Sequence, residues 1–215
     1  MHSDNPFETH TLRYEQWFEN NKYVYLSELE AVRSFIPNHE KGIEIGVGSG
    51  RFAAPLGISV GIEPSLNMRL LAVQRGIFAL AGTAENLPFQ FASFGFALMV
   101  TTLCFVDNII TALEEIHRVL LPDGKIIIGF VDRESPLGQL YLRKKEGSVF
   151  YRNAVFYSVP EVAEFLKDTG FYNLQFMQTV FNSIKQIKAI EPVLKGFGKG
   201  SFVVVCAEKR SVPTQ

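Results

Sequence analysis

Three glycines in five residues, Gly46, Gly48 and Gly50, follow the short apolar run Ile43-Glu44-Ile45 and precede Arg51 to Leu56, which reads as a brief helix. A turn of this kind lets a ligand approach bare backbone amides at the positive end of a helix dipole. Side chains at these positions would block that approach. A second chemical group follows closely, since Glu63 ends the next apolar run, Ile58 to Ile62, only thirteen residues after Gly50. Gly48 to Ala53 formally matches a dinucleotide fingerprint, but the interval to the acid is shorter than a dinucleotide unit uses. Glu44 sets a carboxylate beside the ligand, where a pyrophosphate would be repelled. No lysine or arginine lies between Glu44 and Gly50 to offset it. The pattern favours a cationic, phosphate-free ligand.

The surrounding elements must hold that loop. Apolar residues recur at helical spacing from residue 11 to 36, with Asn20-Asn21 as a break between two helices and Pro37-Asn38 as the stop. After Lys41 the chain alternates. Strands are expected at 43–45, 58–62, 77–81, 96–100 and 125–130, with helices at 51–56 and 65–75, and another starting at Asp107 or Asn108 with Ile109, Leu113, Ile116 and Leu120 on one face. Pro122-Asp123-Gly124 reads as a turn. Near-continuous apolar strands alternating with helices predict a parallel sheet covered on both faces, wound by right-handed crossovers. Residues 133–157, with Gly138, Gly147 and an aromatic group, fit this alternation poorly. Ser158-Val159-Pro160-Glu161 is a capping box for a last helix ending near Gly170. Two closing strands follow at about 173–181 and 201–208, and the tail from Arg210 reads as frayed.

Composition bounds the function. The chain of 215 residues carries 47% hydrophobic and 20% charged residues, enough for a core without metal or disulfide staples. A net charge of −1 disfavours nucleic acid as the main partner. Cys104 and Cys206 lie in apolar surroundings without CxxC spacing and read as core residues. His2, His10 and His39 have no metal-ligand spacing, and His117 reads as a surface residue. Met1-His2-Ser3-Asp4 opens a polar terminus with no apolar signal region, and the apolar stretch 91–110 is too interrupted for a membrane span. The expected setting is the cytoplasm.

Four stretches in order across residues 42–130 carry a resemblance. Glu44-Ile45-Gly46-Val47-Gly48-Ser49-Gly50 is similar to the first motif of class I S-adenosylmethionine-dependent methyltransferases, and Gly61-Ile62-Glu63-Pro64-Ser65 to the second. Gly82-Thr83-Ala84-Glu85-Asn86-Leu87-Pro88-Phe89 resembles the loop beside the adenine, and Glu114 to Gly124 the helix and turn before the fifth strand. The chain resembles most the methyltransferase type 11 branch, small-molecule enzymes related to those of quinone biosynthesis. The resemblance implies a Rossmann-like three-layer α/β sandwich with a mostly parallel seven-stranded sheet and an antiparallel C-terminal hairpin. It implies one domain spanning 1–215: a helical cap (1–40), a cofactor core (41–132), an acceptor-side cap with the last helix (133–170) and the closing strand pair (171–209). It implies S-adenosylmethionine as cofactor and S-adenosylhomocysteine as product, with Glu63 on the ribose hydroxyls. Glu44, Gly46, Gly48, Gly50, Pro64, Thr83, Ala84, Glu85 and Thr101 complete the implied binding set. The family usually has an aspartate where Thr83 stands, and often a histidine pair where this chain has Cys104-Phe105.

Methyl transfer needs alignment in a dry pocket more than it needs a strong base, so no catalytic residue is assigned. The acceptor, a small molecule of unstated class, is expected near residues 101–105, roofed by the N-terminal helices and by 133–157. Tyr14 and Trp17 could wall the cofactor through cation–π attraction, and equally fit ordinary helix packing. A non-catalytic cofactor-binding module, and a nicotinamide-dependent oxidoreductase, stand as alternative readings.

Overall fold

The computed structural model describes residues 5–210. The polar terminus at 1–4, with His2, and the tail beyond Arg210, expected from the sequence to fray, lie outside the described residues. Two helices, α2 (Thr11–Asn20) and α3 (Lys22–Arg33), flank Asn21 as expected, preceded by a short α1 (Pro6–Thr9) that Asn5 caps. The alternation then runs β1 (Gly42–Ile45), β2 (Val60–Ile62), α4 (Leu66–Gln74), β3 (Phe78–Leu80), β4 (Phe94–Val100), α5 (Ile109–Val119) and β5 (Leu120–Val131). It closes with α6 (Pro136–Lys144), α7 (Val159–Asp168), β6 (Phe171–Thr179), β7 (Leu194–Lys195) and β8 (Phe202–Lys209).

One sheet runs β3-β2-β1-β4-β5-β8-β6-β7. The first five strands are parallel, while β8 inserts antiparallel between β5 and β6. The α/β sandwich and the antiparallel closing strands are as the resemblance implied, but the sheet has eight strands rather than seven. The eighth is two-residue β7, which pairs Lys195 with Met177 on the outer edge. Strand residues alternate between two cores: Ile43, Ile45 and Ile62 pack with α5 and α7, whereas Phe96, Leu98 and Phe202 pack with α2, α3 and Leu137. Each fully buried aliphatic chain contributes about 1.5–3 kcal/mol.

Four further expectations differ from the structure. The helix at 51–56 is only a turn closed by a 3-10 segment, Ala54–Leu56, because Pro55 has no amide and Gly57 turns left-handed at φ 74°. No α-helix therefore follows the loop to place its dipole behind the glycines. Pro122-Asp123-Gly124 does not precede β5 but interrupts it, as a bulge against β4 with Asp123 at φ 60°. Residues 133–157, irregular in sequence, contain α6, whose Ser135 cap accepts the Gly138 amide at 3.1 Å. Gly138 fits there because a Cβ would lie 2.2 Å from the Asp132 carbonyl oxygen. His117 is half-buried against Phe171, not a surface residue.

Candidate functional site

The glycine loop is tied to the second strand before anything binds it. The Gly46 and Val47 amides both donate to the Ile62 carbonyl, at 2.8 and 2.9 Å, which sets the loop beside Glu63. All three glycines have positive φ, at 70°, 52° and 83°. Their surroundings differ. A Cβ on Gly46 would lie 2.3 Å from Thr102 Cγ2, and one on Gly50 would press Ile77 and the Ala72 backbone at 3.3 and 3.4 Å. On Gly48 the nearest atom would be Tyr14 Oη at 3.7 Å. Gly46 and Gly50 thus serve packing, and Gly48 is the one where a Cβ would meet only ordinary contact, with Tyr14.

Two buried acids flank the loop in sequence, Glu44 before it and Glu63 after the second strand. Glu63 Oε2 accepts the Gly48 amide at 3.1 Å and Oε1 accepts the Ser65 amide at 2.9 Å, with the residue only 7% exposed. Burial raises its carboxyl above the usual range, with the two amides pulling it back. Glu44, 2% exposed, is pushed well above the usual range by burial; the Ala53 amide opposes this and Glu63 adds to it. Its Oε2 has no hydrogen-bond partner, one of two such buried side-chain atoms among the described residues. An unpaired buried oxygen costs about 1–3 kcal/mol, and a ligand donor would remove that cost. Hydroxyls for Glu63 and a positive charge for Glu44 fit this donor set; a pyrophosphate does not. S-adenosylmethionine carries both features.

The N-terminal helices roof the loop through acids of their own. Glu15 on α2 accepts from the Ser49 hydroxyl, from Arg51 at 2.7 Å and from Arg75 at 2.6 Å. Arg75 also donates to the Ser49 carbonyl at 2.6 Å, so the cation missing from the loop arrives from the end of α4. Glu8 on α1 accepts from the Ser65 hydroxyl at 2.5 Å and the Asn67 amide at 3.2 Å. Tyr14 stands over Gly48, its ring edge-on to Phe7 at 5.6 Å and Phe18 at 5.1 Å. Burial first, and then Glu63 and Glu44, push its phenol upward, so it stays protonated. Trp17 packs edge-on to Phe18 at 5.2 Å within the second core, off the loop. The sequence assigns no role to Glu8 or Glu15. Their partners lie 57 to 60 positions (Ser65, Arg75) or 34 positions (Ser49) away, and no local pattern joins them.

The remaining expected residues separate. Pro64 is exposed, and its carbonyl accepts from Arg69 at 2.8 Å. Thr83 is exposed and bridges to Asn86 through the backbone, while Ala84 is buried. The Glu85 carboxylate accepts the Asp107 and Asn108 amides, at 2.9 and 3.3 Å, where α5 begins. Thr102, rather than Thr101, touches the loop, donating to the Gly46 carbonyl at 3.3 Å. Thr101, at φ 51°, lines a cavity of about 20 Å³ together with Cys104, Tyr141, Tyr151 and Phe156. Burial pushes the Cys104 thiol up to about 12, so no thiolate forms there near neutrality.

Comparison with known proteins agrees with this geometry. The family model of the methyltransferase domain matches residues 43–128. An uncharacterised protein of Methanocaldococcus jannaschii is 44% identical over 205 residues, covering 95% of this chain and 99% of its own length. The crystal structure of an S-adenosylmethionine-dependent methyltransferase of Thermotoga maritima, described as a possible histamine N-methyltransferase, superposes with a TM-score of 0.94 at 49% identity, covering 95% of this chain and 99% of its own. A demethylmenaquinone methyltransferase of Lactococcus lactis is 26% identical over 162 residues, 72% of this chain and 60% of that enzyme.

Proposed function

Because the chain belongs to the S-adenosylmethionine-dependent methyltransferases of class I, we propose that it methylates a small-molecule acceptor by direct displacement, with its donor held by Gly48, Glu63 and Glu44. The observation that carries this is the unpaired Glu44 Oε2 on the strand that leads into the glycine loop, together with Glu63 accepting the Gly48 and Ser65 amides through its two oxygens. When bound, S-adenosylmethionine supplies an electrophilic methyl group on a sulfonium. The chain's own part is to bind, orient and exclude water. Glu63 would take the ribose hydroxyls, Glu44 the cationic portion, and the Tyr14 ring one wall. Tyr14, whose hydroxyl lies nearest Gly48, supports a role as that wall, whereas the edge-on contact of Trp17 with Phe18 supports packing. Pro64, Thr83 and Ala84 would contribute through backbone, whereas Glu85 would act indirectly, by fixing the start of α5.

The acceptor would enter at Thr101–Phe105, under residues 133–157, which form an acceptor-side cap within a single methyltransferase domain. Among the described residues no helix is long and apolar enough to cross a membrane. With a net charge of −1, nucleic acid is a poor candidate for the acceptor. Calorimetric titration with S-adenosylhomocysteine, with NADH as control, tests the donor site. Micromolar binding of the first alone is expected; binding of NADH alone, or of neither, would overturn the assignment.

A further inference from the structure

Helix α1 has four residues and none of them is buried, yet it makes specific contacts on two sides. On one side the Glu8 carboxylate accepts the Ser65 hydroxyl at 2.5 Å and the Asn67 amide at 3.2 Å, while the Glu8 carbonyl accepts the Asn67 side-chain amide at 2.8 Å. These partners lie just past Glu63, after the carboxyl end of β2. On the other side the Phe7 ring meets Phe105 at 5.0 Å, beyond the end of β4, and Phe150 at 5.3 Å. Between the two stands Tyr14, edge-on to Phe7 at 5.6 Å, with its hydroxyl nearest Gly48. Helix α1 thus crosses from the end of β2 to the end of β4, on either side of β1 in the sheet.

That line is the switch point of the sheet, where successive strands are laid down to either side of β1 and where a ligand of such a fold enters. The ends of β2 and β4 stand two strand spacings apart, about 10 Å. A helix with its side chains is about 10–12 Å across, so a single turn spans the opening. Glu63 shows the covering: at 7% exposure, its carboxylate is out of reach of a ribose hydroxyl unless something moves. The element least able to resist is α1. So short a helix has little stability of its own, Phe7 belongs to neither core, and the Asn67 contact of Glu8 is exposed to water, where a hydrogen bond contributes little net. Helix α2, by contrast, is anchored by the Glu15 clamp and by buried Phe18.

Resting on the donor assignment above, we propose that α1 is an autoinhibitory plug, seated across the mouth of the donor crevice, which S-adenosylmethionine must displace. Helix α1 and the donor compete for one place, since Glu8 holds Ser65 and Asn67 where the ribose would approach Glu63. Helix α2 stays, and Tyr14 with it. The apparent donor affinity is then the intrinsic one scaled by the fraction of molecules with α1 released. A cap that closes over a bound donor would behave in the opposite way: the ligand would tighten it, and weakening it would cost affinity.

Hydrogen exchange and calorimetry with S-adenosylhomocysteine, on the full chain, separate the two. The amides of residues 7–10 should exchange at least about threefold faster with the ligand bound, while those of residues 46–50 slow. Phe7→Ala and Glu8→Ala should each bind S-adenosylhomocysteine at least about threefold tighter than wild type. Leu12→Ala, at a position 77% exposed on α2, is the control and should bind as wild type does. Slower or unchanged exchange in α1 on binding, or equal or weaker binding by both plug variants, would overturn the inference. Binding by the two variants but not by wild type would support it. If neither wild type nor variants bind, the donor assignment fails, and the plug falls with it.

Discussion

Replacing Glu63 by glutamine separates the two duties of that side chain. In the protein its two oxygens accept the Gly48 and Ser65 amides at 3.1 and 2.9 Å. Glutamine keeps one carbonyl oxygen and presents an amide donor where the other oxygen was, so one backbone N–H loses its acceptor. A hydrogen bond to a charged group is worth about 1.5–3 kcal/mol. Part of that loss is returned, because burial already holds the carboxyl above its usual pKa and a neutral side chain escapes the desolvation penalty. The net cost to folding should be about 1 kcal/mol, a few degrees in melting temperature for a chain of this size. Binding has no such refund. A ribose diol donating to both oxygens would lose one charged bond, about 1.5–3 kcal/mol, or roughly 10- to 150-fold in affinity. Calorimetry with S-adenosylhomocysteine reads the second effect and thermal melting the first. An affinity within about threefold of wild type, in a variant that melts cooperatively, would refute the ribose assignment.

Gly46→Ala and Gly48→Ala should fail differently. The first drives a methyl into Thr102 and should cost about 2–4 kcal/mol of stability, whereas the second meets no protein atom within 3.4 Å, should cost about 1 kcal/mol for its left-handed φ, and should lose more cofactor affinity than stability. Melting curves and S-adenosylhomocysteine titrations of both variants would distinguish them. Glu15→Ala removes a carboxylate shared by Ser49, Arg51 and Arg75 with 15% side-chain exposure, and should cost about 1–3 kcal/mol, between a surface and a buried ion pair. Limited proteolysis should then cut within residues 5–34 faster than in wild type; unchanged cleavage would show that the clamp does not hold the roof. Glu28 fixes a pH dependence. A carboxyl raised from 4.5 to about 8 gives the fold its full stability below about 4.5 and loses it as pH climbs through about 8. Glu28→Gln cannot ionise, so its melting temperature should gain on wild type across that window, and a constant difference would contradict the burial argument.

The sequence by itself determined the elements whose signals are local. The strand, the glycine loop and the acid after the second strand lie within some twenty residues, and apolar runs alternating with capped helices dictate a covered parallel sheet. Asn108 and Ser158 were legible as caps because a cap acts within three residues. What failed locally was what competing neighbours decide: Pro55 and Gly57 suppressed the helix after the loop, and the close fit of Gly138 on the Asp132 carbonyl hid α6. Tertiary structure alone decided which glycine is crowded by protein atoms, since Gly46, Gly48 and Gly50 all have positive φ and differ in what stands opposite. It also decided the Glu15 clamp, whose partners are 34 to 60 residues away, and the isolation of Glu28. Glu28 has the sequence context of an ordinary helical acid. Its burial without a hydrogen-bond partner is a property of the packed surroundings, which a periodicity along one chain cannot encode.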